Sequence, residues 1–269
     1  MMKISKKALK RTRKRLILLS VGVFVSFGFI MANGVATNAE LADTIHYPDL
    51  QTEIPSDINI QLSGDQKLLR FSNTVYNLGE GPLELRPEND KKGVTKAYQR
   101  IYSHNSSDEV YLVEENLVGN FEFHRIHHHW HFENFALYEL LEDINSSPGD
   151  VVKSNSKTTF CIIDTTVAPD GDTLEHFGWG GTYNKRTGTW SGYSKCTKTS
   201  INGISVGYGD RYNQSLSGQS IDITGIPDGC YWLKSTADPD NLLKEKDNNN
   251  NSAVARIFIS GDTVSLSCS

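Results

Sequence analysis

Five of the eight histidines in this 269-residue chain fall within eight residues, HRIHHHWH (124–131). Within that run His127, His129 and His131 are spaced H-x-H-x-H. On a strand, side chains repeat every two residues, so these three would share one face. On a helix the middle one would point roughly 200° away from the first, spoiling a three-ligand cluster. Flanking Phe, Ile and Trp residues also suit a strand. Three imidazoles on one face leave positions open for water or substrate, as in a catalytic rather than a closed structural metal site. Imidazole suits copper, zinc, iron and nickel, so the ligands alone do not choose the ion. The plainer reading is an exposed histidine run with opportunistic metal affinity; strand-like flanks on both sides argue against it.

Such a site needs a framework, and the pattern around it is that of an all-β protein: a β-sandwich core with long functional loops. Candidate strands are INIQL (58–62), LLRFSNTVYN (68–77), PLELR (82–86), KAYQRIYS (96–103), EVYLVEE (109–115) and FEFHRIHHHWH (121–131). Further along come NFALYELL (134–141), KTTFCIID (157–164), QSIDIT (219–224), CYWLKSTA (230–237) and SAVARIFI (252–259). Most alternate apolar and polar positions between Gly, Pro, Asn or Asp. Residues 40–57 read as an opening loop. Residues 165–218, rich in Gly, Tyr, Trp and Thr, show little periodicity and read as an active-site surface.

The first fifteen residues carry eight Lys/Arg and no acid, followed by an apolar run from Leu16 to Ala32 and small residues ending near Ala39. That order is a signal peptide or, alternatively, an N-terminal membrane anchor, over residues 1–39. Either places residues 40–269, read as one domain, outside the cytoplasm: secreted, or held at the cell surface. Taking those eight basic residues from the chain's 27 Lys+Arg leaves 19 against 32 Asp+Glu, a formal charge of −13. Such a domain repels nucleic acid and attracts cations or lysine-rich polymers. Four cysteines outside a reducing compartment suggest two disulfides. Three connectivities are open, and Cys161–Cys196 with Cys230–Cys268 is the favoured one.

Several segments resemble the lysyl oxidase family. HHHWHFENFALYELL (127–141) is similar to its copper-binding segment, which implies His127, His129 and His131 as copper ligands. His124 matches a further family histidine without an assigned role. One residue is missing between His131 and Phe135 relative to the family, and Leu137 stands where the family has a histidine. SKTTFCIIDTT (156–166) resembles the segment whose lysine, here Lys157, donates its amine to the cofactor. VGYGDRYNQSLSGQSIDIT (206–224) resembles the quinone-forming tyrosine segment, placing that tyrosine at Tyr212, with Tyr208 as runner-up. EKDNNNNSA (245–253) and PDL (48–50) resemble a split calcium site built from Asp49, the Leu50 carbonyl, Glu245, Asp247, Asn250 and Asn251, oxygen donors of the kind calcium prefers. RFSNTVYNLGEGPLEL (70–85) is similar to the opening strands of bacterial members.

The resemblance implies an enzyme using Cu²⁺, Ca²⁺ and a lysine tyrosylquinone made from Lys157 and Tyr212. It would oxidise primary amines, small or peptidyl, with O₂ to aldehydes, releasing hydrogen peroxide and ammonia. Asp210, two residues before Tyr212, is the candidate general base. Two other classes compete. One is a secreted metal-binding structural module without turnover; the other is a zinc hydrolase, with Glu133 close to the histidines.

Overall fold

From Thr95 to His104 buried and half-buried side chains alternate without a break, the period-two signature of a strand with one face packed. Repeated along the chain, this pattern yields antiparallel sheets. The computed structural model describes residues 44–268 apart from 106, 108, 156 and 157. The signal or anchor segment, 1–39, lies outside the described residues. Among those described, no helix is long and apolar enough to cross a membrane.

In chain order the strands are β1 (Ile45–His46), β2 (Leu50–Thr52), β3 (Ser56–Ser63), β4 (Gln66–Asn77), β5 (Leu83–Asn89) and β6 (Thr95–His104). Then come β7 (Val110–His124), β8 (His129–Ile144), β9 (Ser147–Ser154), β10 (Thr158–Phe160), β11 (Thr166–Val167), β12 (Tyr183–Asn184) and β13 (Thr189–Trp190). The last are β14 (Asn202–Ile204), β15 (Tyr208–Tyr212), β16 (Ser220–Asp222), β17 (Gly229–Ala237), β18 (Ser252–Ser260) and β19 (Thr263–Ser265). One eleven-stranded sheet runs β14-β5-β6-β7-β8-β17-β18-β19, with β1 on β6 and both β9 and β10 on β8. A six-stranded sheet runs β11-β15-β4-β16, with β2 and β3 also on β4.

The two sheets close over one apolar core. Leu69, Phe71, Val75 and Ile221 of the smaller sheet pack in one cluster with Phe135, Tyr138, Leu140, Leu233 and Ile257 of the larger. Phe71 and Tyr138 meet edge to face, centroids 4.7 Å apart. Each such side chain contributes about 1.5–3 kcal/mol by leaving water. The Ser235 hydroxyl donates to Asn73 Oδ1 across the gap at 2.7 Å, so the polar groups that cross the core find one another. This is the sandwich the sequence suggests.

Three expectations need correction. FEFHRIHHHWH is not one strand: β7 ends at His124, residues 125–128 turn, and β8 begins at His129. The His128 amide donates to the His124 carbonyl at 2.9 Å, and His128 takes a left-handed φ of 56°. The opening loop contains β1 and β2, and the 165–218 region contains β11 to β15. These strands are too short for alternation to register. KTTFCIID shrinks to β10, while SPGDVVKS becomes the unforeseen β9. Asn145 and Ser146, at φ 52° and 65°, supply the two left-handed positions that a tight hairpin turn needs. Both disulfides pair as favoured, Cys161–Cys196 and Cys230–Cys268.

Candidate active site and cation clasp

The turn at 125–128 changes how the histidines meet. His129 and His131 share a face of β8, His124 sits opposite His129 across the hairpin, and His127 comes from the turn itself. One ring nitrogen each from His124, His127 and His131 lie within 4.8 Å of one another. The ring of His129 is 4.8 Å from that of His131 and 5.5 Å from that of His127, so four imidazoles converge. The expected trio on one strand face is therefore replaced by a turn-built cluster that includes His124.

The surroundings disfavour protonation of His127, His129 and His131. Burial, reinforced by His129, His124 and His127, pushes His131 down to about 3. Burial and then the neighbouring histidines also lower His127 and His129. His131, only 3% exposed, accepts or donates at Nδ1 with the Thr159 hydroxyl, 3.0 Å away. Its Nε2 and the Nδ1 of His124 are buried with no hydrogen-bond partner. An orphaned buried polar atom ordinarily costs about 1–3 kcal/mol. Buried ring nitrogens left without partners are what a transition-metal ion would satisfy, so these residues fit one.

The segment next to Thr159 leads to the tyrosine. Phe160 of β10 pairs in register with Phe132 of β8, and its ring stands edge-on to Tyr212, 3.9 Å between centroids. The Tyr212 hydroxyl donates to the Cys161 carbonyl at 2.9 Å. The Cys161–Cys196 bridge then holds this segment to β8, where the Trp130 amide donates to the Cys196 carbonyl. Thr159 and the Cys161 carbonyl had no signature in the sequence; they act through position alone. Lys157 lies outside the described residues, two positions before Thr159. Tyr208 goes elsewhere, its ring stacked on Phe177 at 5.3 Å.

Asp210 shares β15 with Tyr212, two residues apart and so on one face. It is 2% exposed, and burial holds its carboxyl well above the ordinary carboxylate range. Thr165 donates weakly to Oδ1 at 3.4 Å, while Oδ2 is buried without a partner. Its charge in turn helps burial raise Tyr212 above the ordinary phenol value. Glu133, the hydrolase candidate, accepts from Asn120 Nδ2 at 3.1 Å.

The segments around Asp49 and Glu245 meet in space. Leu50 N donates to Glu245 Oε2 at 2.7 Å, Asn251 Nδ2 to Glu245 Oε1 at 2.8 Å, and Asn250 Nδ2 to Asp49 Oδ1 at 2.9 Å. The amide oxygens of Asn250 and Asn251 are buried without partners. Burial, with Asp238 and Asp49 adding to it, pushes Glu245 up to about 8. Two orphaned oxygens beside two carboxyl groups fit a hard cation. Asp247 is more peripheral: exposed, it accepts from Asn249 at Oδ1. Asn77 fixes the N-terminal half, accepting from the Asp49 and Gly79 amides and donating to the Gly81 and Ile204 carbonyls.

Comparison with known proteins agrees with this layout. The lysyl oxidase family model matches residues 184–268, a span that holds Tyr212 and the 245–251 loop. Lysyl oxidase homolog 2 of Rattus norvegicus is 26% identical over 189 residues, 70% of this chain and 18% of that protein. Lysyl oxidase homolog 4 of Mus musculus is 26% identical over 204 residues, 76% of this chain and 20% of that protein. Lysyl oxidase homolog 1 of Homo sapiens is 30% identical over 168 residues, 62% and 25% respectively. The chain thus spans a quarter or less of these relatives' length. It resembles the lysyl oxidase homologs over much of its own length, and the lysyl oxidase family model over its C-terminal part.

Proposed function

We propose that this chain is a lysyl-oxidase-type amine oxidase, exported from the cytoplasm, that deaminates primary amines with O₂ to aldehydes, releasing hydrogen peroxide and ammonia. The observation that carries the reading is the 158–161 segment. It touches His131 through Thr159 and Tyr212 through the Cys161 carbonyl, and it directly follows Lys157. Histidine and tyrosine thereby meet, from two distant parts of the sequence, on the segment that follows Lys157 in the chain. His124, His127 and His131, with His129 beside them, would hold copper; Asp49, the Leu50 carbonyl, Glu245, Asp247, Asn250 and Asn251 would hold calcium. When present, copper and the quinone derived from Lys157 and Tyr212 supply the redox chemistry and the electron sink.

The protein's own residues would position and move protons. The Cys161 carbonyl and the Phe160 ring fix the Tyr212 ring in one orientation, which a bond to Lys157 requires. Asp210 would take the proton from the carbon next to the substrate nitrogen. A carboxyl disfavoured as an anion is a stronger base once ionised, which is how enzymes tune such groups. The surplus of acidic residues favours cationic substrates, including lysine-rich proteins.

The test is aerobic copper loading followed by reduction, digestion and mass spectrometry. Peptides containing Lys157 and Tyr212 are expected to become linked, and the loaded protein to release peroxide from primary amines. Lys157→Met and Tyr212→Phe should each lose both. A protein that oxidises amines with Lys157 and Tyr212 unmodified would defeat the quinone assignment; a link from Lys157 to Tyr208 would correct only the residue.

A further inference from the structure

Three histidines remain outside the hairpin, and the fold brings all three together. His46 ends β1, which pairs antiparallel with β6, His46 opposite Tyr102. His104 ends β6. His176 comes from the irregular stretch after the 3₁₀ turn Gly171–Thr173. One ring nitrogen of each lies within 4.8 Å of the other two. His46 Nε2 and His104 Nδ1 are 2.9 Å apart, so they share one proton. The other nitrogen of His46, Nδ1, is buried without a partner in a residue only 7% exposed.

We propose that His46, His104 and His176 form a second transition-metal site for a borderline divalent cation such as zinc, separate from the histidine hairpin. Tetrahedral zinc at about 2.0–2.1 Å from each nitrogen sets ligand nitrogens about 3.3 Å apart, a separation these rings reach with small rotations. Neutral imidazole is the ligating form, and the carboxylates of Glu80 and Glu175 lie near enough to act on His46. The two carboxylates would offset the charge of a bound cation. Trp179 walls the cluster, its ring 5.4 Å from His46, 4.8 Å from His104 and 5.6 Å from His176. His104 and His176 also line an open pocket with Trp179, Tyr183 and Trp190, so an ion can enter from solvent.

The two histidine clusters cannot share an ion. His104 pairs with Val110 at the start of β7, and His124 is the last residue of that strand. Fifteen residues of strand put on the order of 45 Å of extended chain between them. A metal here would join the N-terminal strand, the end of β6 and the 171–179 segment, three pieces linked by no disulfide. The inference does not depend on what the hairpin binds.

The experiment is zinc titration of the metal-stripped full chain with calcium saturating, followed by metal counting after gel filtration. Two zinc ions per chain are expected, and one in His176→Ala and in His104→Gln, each checked for a native circular dichroism spectrum. A second measurement avoids touching the three histidines. In His131→Ala, which disables the hairpin, nickel should quench a tryptophan emission that disappears when Trp179→Phe is added. Equal zinc counts in wild type and both histidine variants, or no Trp179 quenching, would each overturn the site and reduce it to aromatic packing.

Discussion

The histidine hairpin and the carboxylate–amide clasp both gather buried ligand atoms that lack partners, yet they are built in opposite ways. The hairpin draws its ligands from eight consecutive residues, set by one turn and one outer contact, Thr159. The clasp joins groups 195 and more residues apart, Leu50 to Glu245 and Asp49 to Asn250. A short-range cluster costs little chain entropy to assemble, so an ion held there would contribute mainly chemistry. A long-range clasp ties the ends of the described fold together, so a cation held there would contribute mainly stability.

The strongest test of that contrast is His131→Ala. Copper content and amine oxidation should fall to background, at least about 10³-fold, well beyond the 10–100-fold typical of losing an outer-shell partner. Retained activity would show that the buried, unpartnered Nε2 is not a ligand. Next is Asp210→Asn, expected to cost about 10²–10⁴ in kcat while the Lys157–Tyr212 link still forms. Because the folded protein holds the Asp210 proton to higher pH than an ordinary carboxyl, wild-type kcat/KM should climb with pH through that raised range. The variant should lack that limb; an unchanged profile would assign the base elsewhere.

At the clasp, a calcium-selective chelator should remove about 2.7 kcal/mol of stability if the ion is normally at a hundredfold excess over Kd. For a domain of this size that lowers Tm by about 5–10 °C, with copper content unchanged. Glu245→Gln should reproduce most of the loss and Asp247→Ala, at the exposed rim, less of it. Equal melting curves with and without calcium would leave the clasp as an ordinary hydrogen-bonded loop. The smallest effect expected is Thr159→Val, which removes the partner of His131 Nδ1 and should weaken copper binding by about 10–100-fold. A larger stability loss there than at Glu245 would invert the contrast between the two regions.

Much of this arrangement is visible in the residues themselves. Alternation reveals β6, β17 and β18 because each is long with one face more buried than the other; β4 shows by its length, although Phe71–Val75 is buried on both faces. It misses β9, β11 and β14, which are short or polar and form because a neighbouring strand offers its edge. The H-x-H-x-H spacing marks out the segment where the histidines cluster and misstates its geometry. Period-two reasoning assumes an unbroken strand, and the chain turns at 125–128 so that β7 and β8 can pair as a hairpin. That turn recruits His124.

The sequence by itself determined the chemical inventory: a histidine-dense run, an acidic domain behind a basic and apolar N-terminal segment, amide and carboxylate donors at both ends, and segments that resemble lysyl oxidases. Each is a matter of residue type and local order, which folding cannot change. Only the tertiary structure decided which atoms meet. Strand register put Phe160 opposite Phe132, so Thr159 reaches His131 and the Cys161 carbonyl reaches Tyr212. The pairing of β1 with β6 brought His46 to His104 and His176, three residues with nothing in their spacing to connect them. Burial, a property of the whole fold, then set the protonation of His131, Asp210 and Glu245.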